Sequence, residues 1–170
     1  MSNIVLIGFM ATGKSTIGEK LAERLGYGFI DTDREIEKIT GCTVSGLFAK
    51  FGVEWFRSKE NMLVRQLVGK KNLVIATGGG VVLNPANVTL LRENGVLVHL
   101  YAKPEVIYER VANKDTRPLL AKGNLKDNIN DLIAEREGKY REAADFELDT
   151  SVLGIEQTVE KIVSTIERRR

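Results

Sequence analysis

The run Ile4-Val5-Leu6-Ile7-Gly8-Phe9-Met10-Ala11-Thr12-Gly13-Lys14-Ser15-Thr16 decides how this chain is read. Ile4 to Ile7 are apolar without a break, the pattern of a strand buried on both faces. Gly8 to Ser15 match GxxxxGK[ST]; Ile17, Leu21, Ala22 and Leu25 then share one helical face, and Gly26 stops the helix. Strand, glycine loop and helix in that order form a phosphate cradle. The glycines let the backbone curl until successive N–H groups point at one anion, and the helix N-terminus adds partial positive charge. Lys14 places a compact cation on the β and γ phosphates, and Ser15 offers a hydroxyl to Mg²⁺. Gly8, Ala11, Thr12, Gly13, Lys14, Ser15 and Thr16 are the candidate nucleotide-binding residues, and a nucleoside triphosphate is the expected ligand.

Outward from the loop, short apolar runs alternate with helix-period segments. Phe29-Ile30, Leu73 to Ala76, Val96 to Leu100 and Phe146 to Leu148 read as four further strands. Between them, helical patterns cover Glu35 to Ile39, Lys59 to Val68 (Met62, Leu63 and Leu67 inward), Pro85 to Asn94 behind an Asn84 cap, a stretch from Pro104, and Leu125 to Tyr140. Ile155, Val159, Ile162, Val163 and Ile166 make a last amphipathic helix. Asn113 to Asn124 carry Asp, Arg, Pro, Lys and Gly and read as a mobile loop. Alternating strands and helices predict an α/β fold with a parallel sheet covered on both faces. Ligands then gather beyond the carboxyl ends of the strands, where the glycine loop, Asp31 to Asp33 and Gly78 to Gly80 all fall. Strand order does not follow from this pattern.

Bulk properties narrow the class. A chain of 170 residues fits one domain over 1–170 with a core of its own. A formal charge of +2 gives no case for nucleic acid or a membrane surface, and Arg168-Arg169-Arg170 read as a solvated end. One cysteine, Cys42, excludes a disulfide within the chain and fits a reducing compartment. No apolar run approaches the ~20 residues that span a bilayer, and no secretory signal is visible, so a cytoplasmic protein is expected.

Five acidic and basic positions carry the chemistry. Asp31 ends a hydrophobic strand, as the Mg²⁺-organising carboxylate of a P-loop enzyme does. Asp33 either holds a substrate hydroxyl and takes its proton or, like Thr32, caps the helix that starts near Arg34. Arg57 stands beside Trp55 and Phe56 and either stacks, pairs with Glu54 or Glu60, or binds an anion. Arg136 lies on the apolar stripe of Leu132, Ile133 and Tyr140, where a guanidinium needs an anion. Arg117, in the loop, is either solvated or a lid arginine over the transferring phosphoryl group. Arg110 is a further candidate for the nucleotide side. His99 reads as a satisfied core histidine, Cys42 as a packing or turn residue, and the two make no zinc pattern.

These pieces in this order resemble the shikimate kinase family along nearly the whole chain. The resemblance rests on Gly8 to Thr16, Asp31-Thr32-Asp33, Phe56-Arg57 with Glu60, Thr77-Gly78-Gly79-Gly80, Arg117-Pro118-Leu119-Leu120, Arg136 with Tyr140, and Ala144-Asp145. It implies a P-loop kinase three-layer sandwich of the nucleoside-monophosphate-kinase type, with a five-stranded parallel sheet in the order 2-3-1-4-5. It implies transfer of the γ-phosphoryl group of ATP, with Mg²⁺, to the 3-hydroxyl of shikimate, on the route to chorismate and the aromatic amino acids. Asp33, Lys14 and Arg117 would be catalytic, and Ser15 and Asp31 would organise the metal. Asp33, Arg57, Gly78, Gly79, Gly80 and Arg136 would hold the acceptor; Arg110, Arg117 and Pro118 would join the nucleotide side. The acceptor segment would span about 32–60 and the lid about 112–124, in a monomer. Thr150 to Gly154 stand where the family has a basic or Pro-containing adenine loop, and Ser58 replaces a residue that is often charged. The alternatives are a gluconate or nucleotide kinase of the same fold, and a nucleotide-binding regulatory module without turnover.

Overall fold

The structure is a computed structural model and describes residues 2–112 and 123–169. In chain order the elements are β1 (Asn3–Ile7), α1 (Lys14–Leu25), β2 (Gly28–Asp31), α2 (Thr32–Thr40), α3 (Val44–Phe51), α4 (Val53–Leu67) and β3 (Leu73–Ala76). A 3₁₀ turn (Val81–Leu83) leads to α5 (Pro85–Asn94), β4 (Gly95–Tyr101), α6 (Pro104–Ala112), α7 (Leu125–Ala143), β5 (Phe146–Asp149) and α8 (Ile155–Arg168). The five strands form one parallel sheet in the order β2-β3-β1-β4-β5.

β1 lies at the centre and is buried at every residue, which is why its sequence does not alternate. Its side chains still divide by parity. Val5 and Ile7 enter a core with Ile75, Leu97, Ile107, Ile129 and Tyr140. Ile4 and Leu6 enter a second core with Ile17, Leu21, Val98, Val159 and Ile162. The sheet is thus sandwiched between two helical layers. A third, smaller cluster of Ile36, Leu47, Phe56 and Leu63 joins α2, α3 and α4 beside the sheet.

Three local expectations change. The helix Val44–Phe51 was not legible as one: Gly46 lies inside it, and its start depends on Thr43, whose side chain accepts from the Gly46 amide. The next helix begins at Val53 rather than Lys59, with Gly52 at φ 82° making the break. Met62, expected inward, is 50% exposed, whereas Leu63 and Leu67 are buried. The buried stripe of α4 runs through Phe56, Glu60, Leu63, Val64 and Leu67, and a polar residue occupies a place that an apolar pattern search skips.

Candidate active site

The glycine loop is backbone architecture. Gly8 has φ 144°, and a Cβ there would lie 2.1 Å from the Leu100 carbonyl oxygen, so only glycine lets β4 approach. Gly13, at φ 92°, caps α1 without a side-chain hydrogen bond, and the first turn holds no acidic residue. The opening amides of α1 are left for an anion. Ala11 takes the left-handed conformation at φ 58°. Thr12 is fully buried and donates to the Phe9 carbonyl at 2.9 Å, so its side chain shapes the loop from inside. Lys14 donates to the Gly8 and Phe9 carbonyls at 2.8 and 2.7 Å. Ser15 donates to the Asp31 carboxylate, and Thr16 lines the cleft.

Asp31 has two jobs. Its other oxygen accepts from the Asp33 and Arg34 amides at 3.0 and 3.1 Å, capping α2. The cap is therefore Asp31, not Asp33 or Thr32. Thr32 is buried and accepts from the Gly78 amide at 3.0 Å, tying α2 to the glycine turn. Asp33 is left on the wall of a cleft of about 740 Å³ that also holds Lys14, Ser15, Arg57, Gly79 and Arg136.

The turn Gly78–Gly80 explains the acceptor half. Each glycine is pressed by a side chain from another element. A Cβ at Gly78 would lie 2.6 Å from Asp33 Oδ1 and 3.0 Å from Glu60 Oε2. At Gly80 it would lie 2.1 to 2.4 Å from the Arg57 guanidinium, and at Gly79 it would meet the Tyr140 hydroxyl at 3.5 Å and Arg136 Nη1 at 3.6 Å. The Tyr140 hydroxyl donates to the Gly79 carbonyl, and burial pushes its pKa up to about 12, so it stays a donor.

Both arginines face this turn. Arg57 pairs with Glu60 at 3.2 Å, three residues along α4. Arg136 is 4% exposed. The Nε groups of Arg57 and Arg136 are buried without a hydrogen-bond partner among the described residues. A half-buried and a buried guanidinium with spare donor capacity, both lining one cleft, fit an anion with a planar fork of acceptors. Glu60 is 1% exposed, and burial drives its carboxyl up to about 7, against the downward pull of Arg57 and with Asp33 adding to the rise.

Arg110 stands apart from the expectation. Its guanidinium donates to the Ala11 carbonyl at 2.9 Å and the Thr150 carbonyl at 2.9 Å, bracing the glycine loop against the turn after β5. Arg117 and Pro118, with most of the expected lid, lie outside the described residues. His99 is buried with Nδ1 2.7 Å from Glu147, as a satisfied histidine should be. Glu60, expected only as a partner of Arg57, Tyr140, expected only on the apolar stripe, and Thr32, expected only as a cap, all meet the Gly78–Gly80 turn. The spacings Arg57-x-x-Glu60 and Arg136-x-x-x-Tyr140, each on one helix face, were the available signal.

The chain is similar to known proteins along nearly its whole length. Residues 10–167 match the family model for shikimate kinase. The shikimate kinase of Pelotomaculum thermopropionicum is 58% identical over 96% of this chain and 94% of its own length. That of Thermoanaerobacter pseudethanolicus is 47% identical over 96% and 95%. Among solved structures, shikimate kinase from Acinetobacter baumannii in complex with shikimate superposes with a TM-score of 0.96, at 36% identity over 100% of this chain and 95% of that one. A gluconokinase from Sinorhizobium meliloti, at 16% identity and a TM-score of 0.59, shares the fold alone. The chain belongs to the shikimate kinase family.

Proposed function

We propose that this chain transfers the γ-phosphoryl group of ATP to the 3-hydroxyl of shikimate. The observation that carries the reading is the glycine turn, where Arg57, Arg136 and Asp33 converge across one cleft from the phosphate loop. Shikimate is a small carboxylate bearing hydroxyls. Two guanidinium forks suit its carboxylate, and one aspartate suits a hydroxyl.

Among the described residues no group of three or more His, Cys, Asp or Glu side chains is arranged to hold a metal. Mg²⁺ in a P-loop kinase takes one hydroxyl, waters and phosphate oxygens, so the Ser15–Asp31 pair fits that need. When bound, the ion neutralises charge on the phosphates. Ser15 would hold it, with Asp31 orienting the Ser15 hydroxyl.

The remaining residues have these roles. Gly8 to Thr16 hold the phosphates through amides, and Lys14 leaves its carbonyl partners for the β and γ oxygens. Arg57, Arg136 and the Gly79–Gly80 backbone fix the acceptor. Asp33 orients the hydroxyl and accepts its proton as the O–P bond forms and ADP departs. By its motif, Arg117 closes over the transferring group with Pro118, in a lid at about 112–124. Arg110 serves the nucleotide side by bracing the loop. The working unit is a single-domain monomer in the cytoplasm, in keeping with one cysteine and with no helix among the described residues long and apolar enough to cross a membrane.

Phosphorus and proton NMR of a reaction with ATP, Mg²⁺ and shikimate tests the assignment. The expected product is shikimate 3-phosphate with one ADP per phosphate, lost on chelation of Mg²⁺. Phosphate on another hydroxyl, or none, overturns it.

A further inference from the structure

His99 is a buried side chain that stands between Gly8 of the glycine loop and Tyr140 beside the Gly78–Gly80 turn. It sits on β4, 2% exposed, in register with Ile7 of β1 and Glu147 of β5. Its ring is stacked on Tyr140, with centroids 5.0 Å apart and planes 27° from parallel. Tyr101 flanks it at 5.7 Å. On the edge, its Cδ2 is 3.4 Å from where a Cβ of Gly8 would stand.

The ring cannot swing. Its Nδ1 faces the Glu147 carboxylate at 2.7 Å, and Glu147 also meets Arg141 at 3.7 Å. Burial holds the imidazole below its ordinary pKa, so it is neutral near pH 7 and donates Nδ1–H to Glu147. The hydrogen bond and the flanking Tyr101 and Tyr140 rings together set the imidazole plane, and its flat face packs on the Tyr140 ring. The Tyr140 hydroxyl in turn fixes the Gly79 carbonyl and stands beside Arg136. The stack biases the position of the Tyr140 ring without holding the fold.

We propose that His99 is a positioning residue for the acceptor half, acting through Tyr140 on the Gly78–Gly80 turn and Arg136. It supplies a flat face at a fixed angle, and an aliphatic residue of similar bulk does not replace it. A histidine kept only to fill the core predicts the opposite: aliphatic bulk suffices. The kinetic arm rests on the shikimate reading; a second arm needs no substrate.

The variants are His99→Leu, which keeps bulk and loses the face, and His99→Phe, which keeps the face and loses the hydrogen bond. His99→Gln replaces the leucine variant if that does not fold. In the ligand-free enzyme, amide exchange over residues 77–83 is expected to speed up about tenfold in His99→Leu, with β1 amides unchanged, and to return towards wild type in His99→Phe. In steady-state kinetics His99→Leu is expected to raise the shikimate KM at least fivefold and the ATP KM less than twofold. Combined with Tyr140→Phe, the two effects on shikimate KM should fall short of adding, because both act through one hydroxyl. Wild-type exchange at 77–83 in His99→Leu overturns the proposal, as does an equal rise in both KM values. A changed turn in an enzyme that does not use shikimate sinks the substrate reading and leaves the positioning role standing.

Discussion

The two halves of the cleft are built by opposite means. The donor half is centred on one continuous stretch, Gly8 to Thr16, where backbone amides aimed by the turn geometry are joined by the Lys14 and Ser15 side chains. The acceptor half takes Asp33 from α2, Arg57 and Glu60 from α4, a glycine turn after β3, and Arg136 and Tyr140 from α7. Its working parts are side chains. A phosphate has the same shape in every nucleotide, so a local backbone motif can hold it. A particular hydroxy acid needs charges placed around it in three dimensions, and only the folded chain supplies them. Side-chain substitutions in the acceptor half should therefore damage acceptor handling while sparing ATP.

The largest expected effect is at Asp33. Asp33→Asn should lower turnover by about 10²–10⁴-fold, the usual contribution of a positioned base, while ATP affinity by calorimetry stays within twofold. A turnover loss matched by a loss of ATP affinity would join the two halves and break the comparison. Next come Arg57→Ala and Arg136→Ala. Each removes a charged hydrogen-bonding partner at ~1.5–3 kcal/mol, which is a rise of roughly 10- to 150-fold in shikimate KM, with ATP KM unchanged.

Glycine substitutions sharpen the contrast through stability. Gly8→Ala meets both a forbidden φ and the Leu100 carbonyl at 2.1 Å, so it should destabilise the fold by about 1–3 kcal/mol or more in urea melts. Gly80→Ala meets only the Arg57 guanidinium, a side chain that can move. It should cost less stability and displace Arg57, raising shikimate KM. Equal unfolding midpoints for the two variants would contradict this.

The smallest effect is a pH dependence. Glu60 titrates near 7 in the folded chain against 4.5 ordinarily, mainly because burial opposes its charge. A raised folded pKa means that its favourable contribution is full below 4.5 and is lost as pH rises through about 7. Wild type should therefore lose stability relative to Glu60→Gln as pH rises across that window. Parallel stability curves for the two would show that Glu60 stays ionised throughout.

Legibility in the sequence followed the same division. Lys14 and Ser15 could be assigned from spacing alone, because the motif and its context are contiguous. Arg136 was legible as an anomaly, a guanidinium on an apolar stripe, although its ligand was not. The Arg57–Glu60 pairing is legible from the i,i+3 spacing, but the contacts of Glu60 and Tyr140 with the glycine turn are not, since that turn is distant in sequence. Val44–Phe51 was missed because Gly46 weakens its helical pattern, and Met62 was turned the wrong way because buried Glu60 took a place on the stripe. Strand order came from resemblance rather than pattern, since alternation fixes the layers and not which strands are neighbours.

The most direct test of the two-half account is a competition for acceptor. ADP release would be measured with saturating ATP and Mg²⁺ against shikimate, gluconate and a nucleoside monophosphate, comparing kcat/KM. The account predicts that shikimate is preferred by more than tenfold. A higher kcat/KM for gluconate or the nucleotide would contradict it, since the donor half would stand and the acceptor half would have been misread.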